Sequence, residues 1–299
     1  MSSFSENKWS HISVLSANII YGINYAIAKG MMPEFFHPRA IIFIRALGAF
    51  LLFLLYHTLF VKEKMQRKDV GLFFLCAFFG IAVNQIMFFE GLNLTTSINS
   101  AIIMTINPVL VLLFSALILK ENITWLKMTG IFIAATGAVV LIGQKGEISF
   151  SSETFTGNIL IFINAASFAL YLVLVKPLML KYHPVTVMKW VFLLGFFIVF
   201  PFTFGSFIET NFSIIPFHIW MSLLYVVVMA TFFGYLLYNL ALIKLSPSAT
   251  SSYIYLQPVF AGIVSFYMLK EIPGYVDFIA VALIFFGVYF VNRASQRSN

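Results

Sequence analysis

The sequence predicts an all-α membrane protein of ten transmembrane helices, built as two inverted five-helix repeats. Three observations lead there. Of 299 residues, 61% are hydrophobic and only 10% charged, whereas soluble domains carry nearer about a quarter charged. The apolar residues fall in long runs with short polar gaps between them. The two halves also share polar landmarks at constant spacing.

A helix needs about 20 apolar residues to cross a hydrocarbon core of about 30 Å. Runs of that kind predict spans at 9–31, 38–61, 70–91, 98–119 and 122–143. A second set falls at 157–180, 185–205, 217–243, 248–269 and 273–292. The first run is long for a signal peptide and lacks an obvious small-residue cleavage pattern, so it reads as the first helix. The gap Gln144–Thr156, rich in Ser, Glu and Gly, separates the halves. The repeats are taken as 1–146 and 147–299.

Loop charge gives the direction. With the N-terminus in the cytoplasm, thirteen of the 18 Lys and Arg residues lie on that side, among them Lys62, Lys64, Arg67 and Lys68. The other side keeps Lys29, Arg39, Lys145 and Lys270, with Arg45 inside a span. Both termini are expected in the cytoplasm, in a plasma membrane of the bacterial inner-membrane kind. The net charge of +7 is small and spread over loops, which fits an anionic lipid surface better than nucleic acid. The lone Cys76 lies in an apolar run, so neither a disulfide nor a cysteine-based metal site is available within the chain.

Asn107-Pro108, Lys120-Glu121 and Gly137 recur as Gln257-Pro258, Lys270-Glu271 and Gly287, at an offset of 150. Asn18, Tyr25 and His37-Pro38 recur as Asn164, Tyr171 and His183-Pro184, at an offset of 146. Each half holds five spans, an odd number, so the second half must enter the membrane from the opposite side. Inverted repeats of this kind bind substrate near the midplane and work by alternating access.

On these residues the chain resembles the drug/metabolite transporter superfamily, in its EamA-type ten-helix branch. The likeness rests on Tyr25-Ala-Ile-Ala-Lys29, Arg45, Asn107-Pro108 and Leu119-Lys120-Glu121 in the first half. In the second it rests on Ala169-Leu-Tyr171, Gln257-Pro258, Leu269-Lys270-Glu271 and Gly287. The resemblance implies export or exchange of small metabolites, such as amino acids and related polar compounds, through a cavity between the halves. Four-helix multidrug relatives couple export to protons through a carboxylate in their first helix. The span from Trp9 to Met31 has none, so proton-coupled export of cationic drugs is not expected.

Polar groups inside spans are costly and mark pathways or partners. Tyr25, Asn84, Asn107, Tyr171, Tyr238, Asn239, Tyr253 and Gln257 are the candidate substrate-binding residues, and Tyr235 is a further cavity candidate. Pro108 and Pro258 each remove a backbone hydrogen bond in mid-span and expose a carbonyl one turn earlier. Asn18 and Asn164 are read as interhelical hydrogen-bond glue. Lys29, Arg45, Glu90 and Lys176 are the candidate gating or ion-pair residues. Glu90 is expected to pair with Arg45 or Lys29, as part of an outer gate or as a structural ion pair. Lys29 and Lys176 either form cationic mouths or reach to the headgroups. Small residues at Gly130–Gly137 and Ala280–Gly287 allow close packing, and helices five and ten are candidates for a homodimer contact.

No nucleophile motif, metal spacing, phosphate-binding glycine loop or nucleotide-binding motif is present. No cofactor is expected, and the partners are a small-molecule substrate and the lipid bilayer. The leading reading is a secondary carrier that is not an enzyme. A phosphometabolite or nucleotide-sugar exchanger is an alternative that should need more converging cations. A non-transport intramembrane enzyme is the alternative from a different class.

Overall fold

The computed structural model describes residues 2–143, 152–260, 263 and 274–298. Among these the chain is all-helical, with no strand. Helix α1 runs over Ser2–Met31, α2 over Pro38–Phe60, α3 over Arg67–Leu94, α4 over Ser97–Ile118 and α5 over Trp125–Gly143. After the division come α6 at Ser152–Lys181, α7 at Pro184–Ile208 and α8 at Phe217–Lys244. Helix α9 opens at Pro247–Ser252, tightens at Tyr253–Leu256 and continues to residue 260. Helix α10 covers Tyr275–Ser298. Eight described helices are long and apolar enough to cross a membrane, namely α2 to α8 and the Phe278–Ser295 part of α10. Apart from residue 263, the rest of the ninth expected span and the Lys270-Glu271 pair after it lie outside the described residues, as do Lys145 and the junction between the halves.

The surface explains the solvent. Phe132, Phe197, Phe202, Ile208, Phe278 and Phe286 are all more than half exposed, which a water-soluble chain does not tolerate over such an extent. The protein is an integral membrane protein, and some of its Phe residues knit the bundle. Phe43 on α2 meets Phe196, Phe200, Phe204 and Phe207 of α7 at centroid distances of 4.4–6.0 Å.

Helices pair across the halves. Helix α2 packs on α7, α3 on α6, α1 on α8, and α5 on α10. Local end signals match in the same way. His37 and His183 accept from the backbone amides two residues on, and each is followed by a proline in the first turn. Thr96 and Ser246 cap α4 and α9 through their side-chain oxygens. Helices α3 and α8 each carry a π-helical stretch, at Phe78–Val83 and Tyr225–Phe233. A wide turn frees carbonyls for side chains. Ser167 takes the carbonyl of Phe79 at 2.6 Å, and the Tyr235 hydroxyl reaches that of Gly80 at 3.1 Å.

The small-residue stripes of α5 and α10 are spent on each other. A Cβ added at Gly287 would meet Gly130 O and the Ala134 nitrogen at 2.5 Å. Gly287→Val therefore overpacks the contact and should cost about 1–3 kcal/mol. Thermal unfolding in detergent checks this, with Gly30→Ala, which has open space, as a control that does not lower the midpoint.

Candidate functional site

A cavity lies between the halves, enclosing about 580 Å³ of atom-free space with the solvent at its mouth included. Its walls come from α1 (Tyr21, Asn24, Tyr25), α2 (Arg45), α3 (Asn84, Gln85, Phe88) and α4 (Met104). The second half supplies Asn164 and Phe168 from α6, Tyr235 from α8, and Ile254 and Gln257 from α9.

Irregular helices build this space. Helix α4 is broken into Ser97–Met104 and Asn107–Ile118. Pro108 cannot supply an amide to the carbonyl four residues before it, that of Met104, and Pro258 stands in the same relation to Ile254. Both Met104 and Ile254 line the cavity, so the two proline breaks face the same space. The π-helical stretch of α3 leads into Asn84 and Gln85, and that of α8 into Tyr235.

The amides tie the halves together around the cavity. Gln257 donates to Asn18 Oδ1 at 2.8 Å, and Asn18 donates to Val14 O at 2.8 Å. Asn164 donates to Asn84 O at 2.8 Å, and Asn107 donates to Ala165 O at 2.7 Å. Several buried polar atoms of the lining residues have no hydrogen-bond partner among the described residues: Tyr21 OH, Asn24 Oδ1, Gln85 Oε1 and Asn164 Oδ1. Native interiors leave few such groups, because each forfeits its hydration for nothing.

Of the eight expected binding residues, the structure brings Tyr25, Asn84 and Gln257 to the cavity and places the other five elsewhere. Asn107 is engaged with the α6 backbone. Tyr171 donates to Asn239 Oδ1 at 3.0 Å, and Asn239 donates to Tyr235 O at 2.8 Å. Tyr238 donates to Thr250 O at 3.2 Å. These groups form a layer beside the cavity, with the rings of Phe168 and Tyr238 at 5.6 Å and those of Tyr21 and Tyr238 at 6.2 Å. Tyr253 instead meets His11 Nδ1 at 2.6 Å. Residue type alone did not separate these roles, since a buried Tyr or Asn needs a partner whether it lines a cavity or closes one. Tyr21, Asn24 and Gln85 were missed. A faint signal existed for all three, because Tyr21 stands four residues before Tyr25 and three before Asn24, spacings that bring helical side chains together, and Gln85 lies 150 residues before Tyr235.

The charged residues differ most from expectation. Glu90 pairs with neither Arg45 nor Lys29. Its carboxylate accepts from Arg39 Nε at 2.6 Å, near the helix ends, where the Arg39 side chain is 51% exposed. Such a pair contributes at most about 1 kcal/mol. Lys29 donates to the carbonyls of Leu92, Asn93 and Thr95 at 2.7, 3.0 and 3.1 Å. Lys176 donates to those of Leu242, Ile243 and Leu245. The two sets of acceptors are 150 residues apart. Each lysine therefore closes the C-terminal end of a neighbouring helix, α3 or α8, where the last carbonyls lack amides and the helix dipole favours a cation. Lys127, inside the fifth span, is fully buried and pairs with Glu121 at 2.7 Å, and Ser248 on α9 donates to the other Glu121 oxygen at 2.9 Å. Arg45 stays within the bundle and lines the cavity.

No group of His, Cys, Asp and Glu able to hold a metal occurs among the described residues. A multi-pass helical bundle with a cavity between two halves, lined by several polar side chains, has the architecture of a membrane transporter. The sequence profile of the EamA-like transporter family matches residues 8–143 and 155–293, and the chain belongs to that family. An uncharacterized transporter of Archaeoglobus fulgidus is 30% identical over 219 residues, 73% of this chain and 74% of that one. An uncharacterized transporter of Bacillus subtilis is 26% identical over 93% of this chain and 92% of its own length. A probable terminal-alkyne amino-acid exporter of Streptantibioticus cattleyicolor is 24% identical over 77% of this chain and 76% of its own. A crystal structure 16% identical in sequence superposes with a TM-score of 0.76 over 98% of both chains. At that identity the likeness is one of fold.

Lys176→Met leaves the α8 carbonyls without their donor and should cost about 1–3 kcal/mol. Lys176→Arg should recover part of it, read as unfolding midpoints in detergent. An unchanged midpoint for Lys176→Met would show that the three contacts carry no net stability.

Proposed function

We propose that the chain is a secondary carrier that moves small polar metabolites by alternating access, rocking two oppositely oriented five-helix halves about the cavity. The observation that carries this reading is the cavity's make-up. Both halves contribute to it, through the two proline breaks and through Gln85 and Tyr235 at related positions. The matched caps, π-helical stretches and lysine contacts support a repeat. Five spans in each half would then set the two in opposite directions. The amino-acid exporter among the relatives fits a substrate of that size and polarity. In this reading Asn24, Gln85, Asn164 and Tyr21 hold the substrate's polar groups, and the Tyr171–Asn239 and Tyr238–Thr250 contacts part when the cavity opens to the other side. Both termini lie in the cytoplasm of a plasma membrane.

Two experiments bear on this. Proteoliposomes loaded with deproteinised bacterial cell extract should lose defined compounds faster than protein-free vesicles, read by mass spectrometry. Gln85→Leu should slow that loss at least about tenfold, while eluting as a folded protein. Equal loss with and without protein would refute the carrier. For topology, cysteines at Gln66 and Asn211 in a Cys76→Ala background should react with impermeant thiol reagents from opposite sides, Gln66 from the cytoplasm. Labelling of both from one side would break the proposed arrangement.

A further inference from the structure

We infer that the cavity is a carboxylate site, and that the guanidinium of Arg45 selects its substrate. The inference rests on the carrier reading and names the substrate class of the same cavity.

Arg45 sits on α2, is 5% exposed and lines the cavity. Its Nε donates to Thr231 Oγ1 at 2.8 Å, and its guanidinium carbon lies 4.9 Å from the centre of the Phe89 ring. The Thr231 hydroxyl spends its own proton on Val226 O at 2.6 Å, so its lone pairs face the arginine. These contacts hold the fork in place without neutralising it. Glu90 is taken by Arg39, Glu121 by Lys127, and Asp69 by Lys181. No described carboxylate pairs with Arg45, and none lines the cavity. A cation held out of water without a counter-ion is costly, and such residues inside membranes mark substrate paths. The missing charge is one the substrate can bring.

The planar fork of a guanidinium matches one carboxylate through two parallel hydrogen bonds. A phosphate dianion would call for further cations, and among the described residues Arg45 is the one cationic side chain in the cavity lining. The remaining wall describes the rest of the molecule. Asn24 Oδ1, Gln85 Oε1 and Asn164 Oδ1 are buried acceptors without donors, suited to an amino or hydroxyl group. Tyr25, Phe88, Met104 and Phe168 offer apolar surface to a short side chain. The class is thus a small carboxylate bearing a hydrogen-bond donor. Amines that lack the carboxylate are rejected by like charge and by leaving the arginine unpaired.

The extract-loaded vesicles test this directly. Compounds lost in a protein-dependent way should carry a carboxylate, and the primary amide of each should move at least about tenfold more slowly. Arg45→Gln should lower flux of the acids by a similar factor, and Arg45→Lys, which keeps the charge but not the fork, should restore part of it. Detergent elution profiles separate misfolding from lost binding, and if Arg45→Gln does not fold, the acid-against-amide comparison on the unmodified protein decides. Protein-dependent flux carried by compounds without a carboxylate, or equal rates for acid and amide, overturns the inference and leaves the carrier standing. Absence of any protein-dependent loss removes the carrier reading and this inference with it.

Discussion

Hydrocarbon offers no hydrogen bonds, so every carbonyl released by a bent or ended helix must find a donor within the protein or in the water of a cavity. That requirement runs through the whole chain. Lys29 and Lys176 each reach across to the end of a neighbouring helix and serve three carbonyls. Ser167 and Tyr235 serve the wide turn of α3. The lysines had two obvious fates in the sequence, a channel mouth or a headgroup, and the structure gives them a third. Their charge is used where helix dipoles place partial negative charge, which makes an expensive residue inside a membrane a stabilising one.

The cavity follows from the same constraint. A straight, fully bonded helix presents only side chains to its neighbours. The breaks before Pro108 and Pro258, together with the π-helical stretches of α3 and α8, spoil that regularity where the two halves meet. The polar atoms left there are poorly served by the protein itself. Gln85 is 1% exposed, and its Oε1 has no donor among the described residues. Nearby, Tyr171, Tyr238 and Asn239 satisfy one another and the backbone, so the same residue types make a closed layer next to an open one.

Particular residues show how far reading the sequence could go. The landmark offsets led to His37 and His183 as matched starts of α2 and α7, and both cap their helices through the imidazole. Asn107-Pro108 marked the break in α4. The pairing expected of Glu90 went astray, and that of Lys127 was not foreseen, for one reason. Their partners, Arg39 and Glu121, lie on a neighbouring helix start or a loop, and the position of such segments depends on how whole helices lean together. Tyr253 and Asn107 were assigned to the cavity by chemistry, and each found a closer partner in His11 or the α6 backbone.

The opening expectation was a bundle of apolar spans in two related halves. Hydrophobicity and span length determine the apolar spans by themselves, because the bilayer sets the length of a segment and excludes charge from it regardless of its neighbours. Landmark spacing likewise carries family membership, since it survives without knowledge of any contact. The tertiary structure alone decided which face of each helix meets which partner. That choice made Arg45 a cavity cation, Lys29 and Lys176 helix-end donors, and Tyr171 a member of the closed layer. A helical span repeats its faces every 3.6 residues, and only packing against specific neighbours tells a lipid face from a cavity face when both are apolar or aromatic.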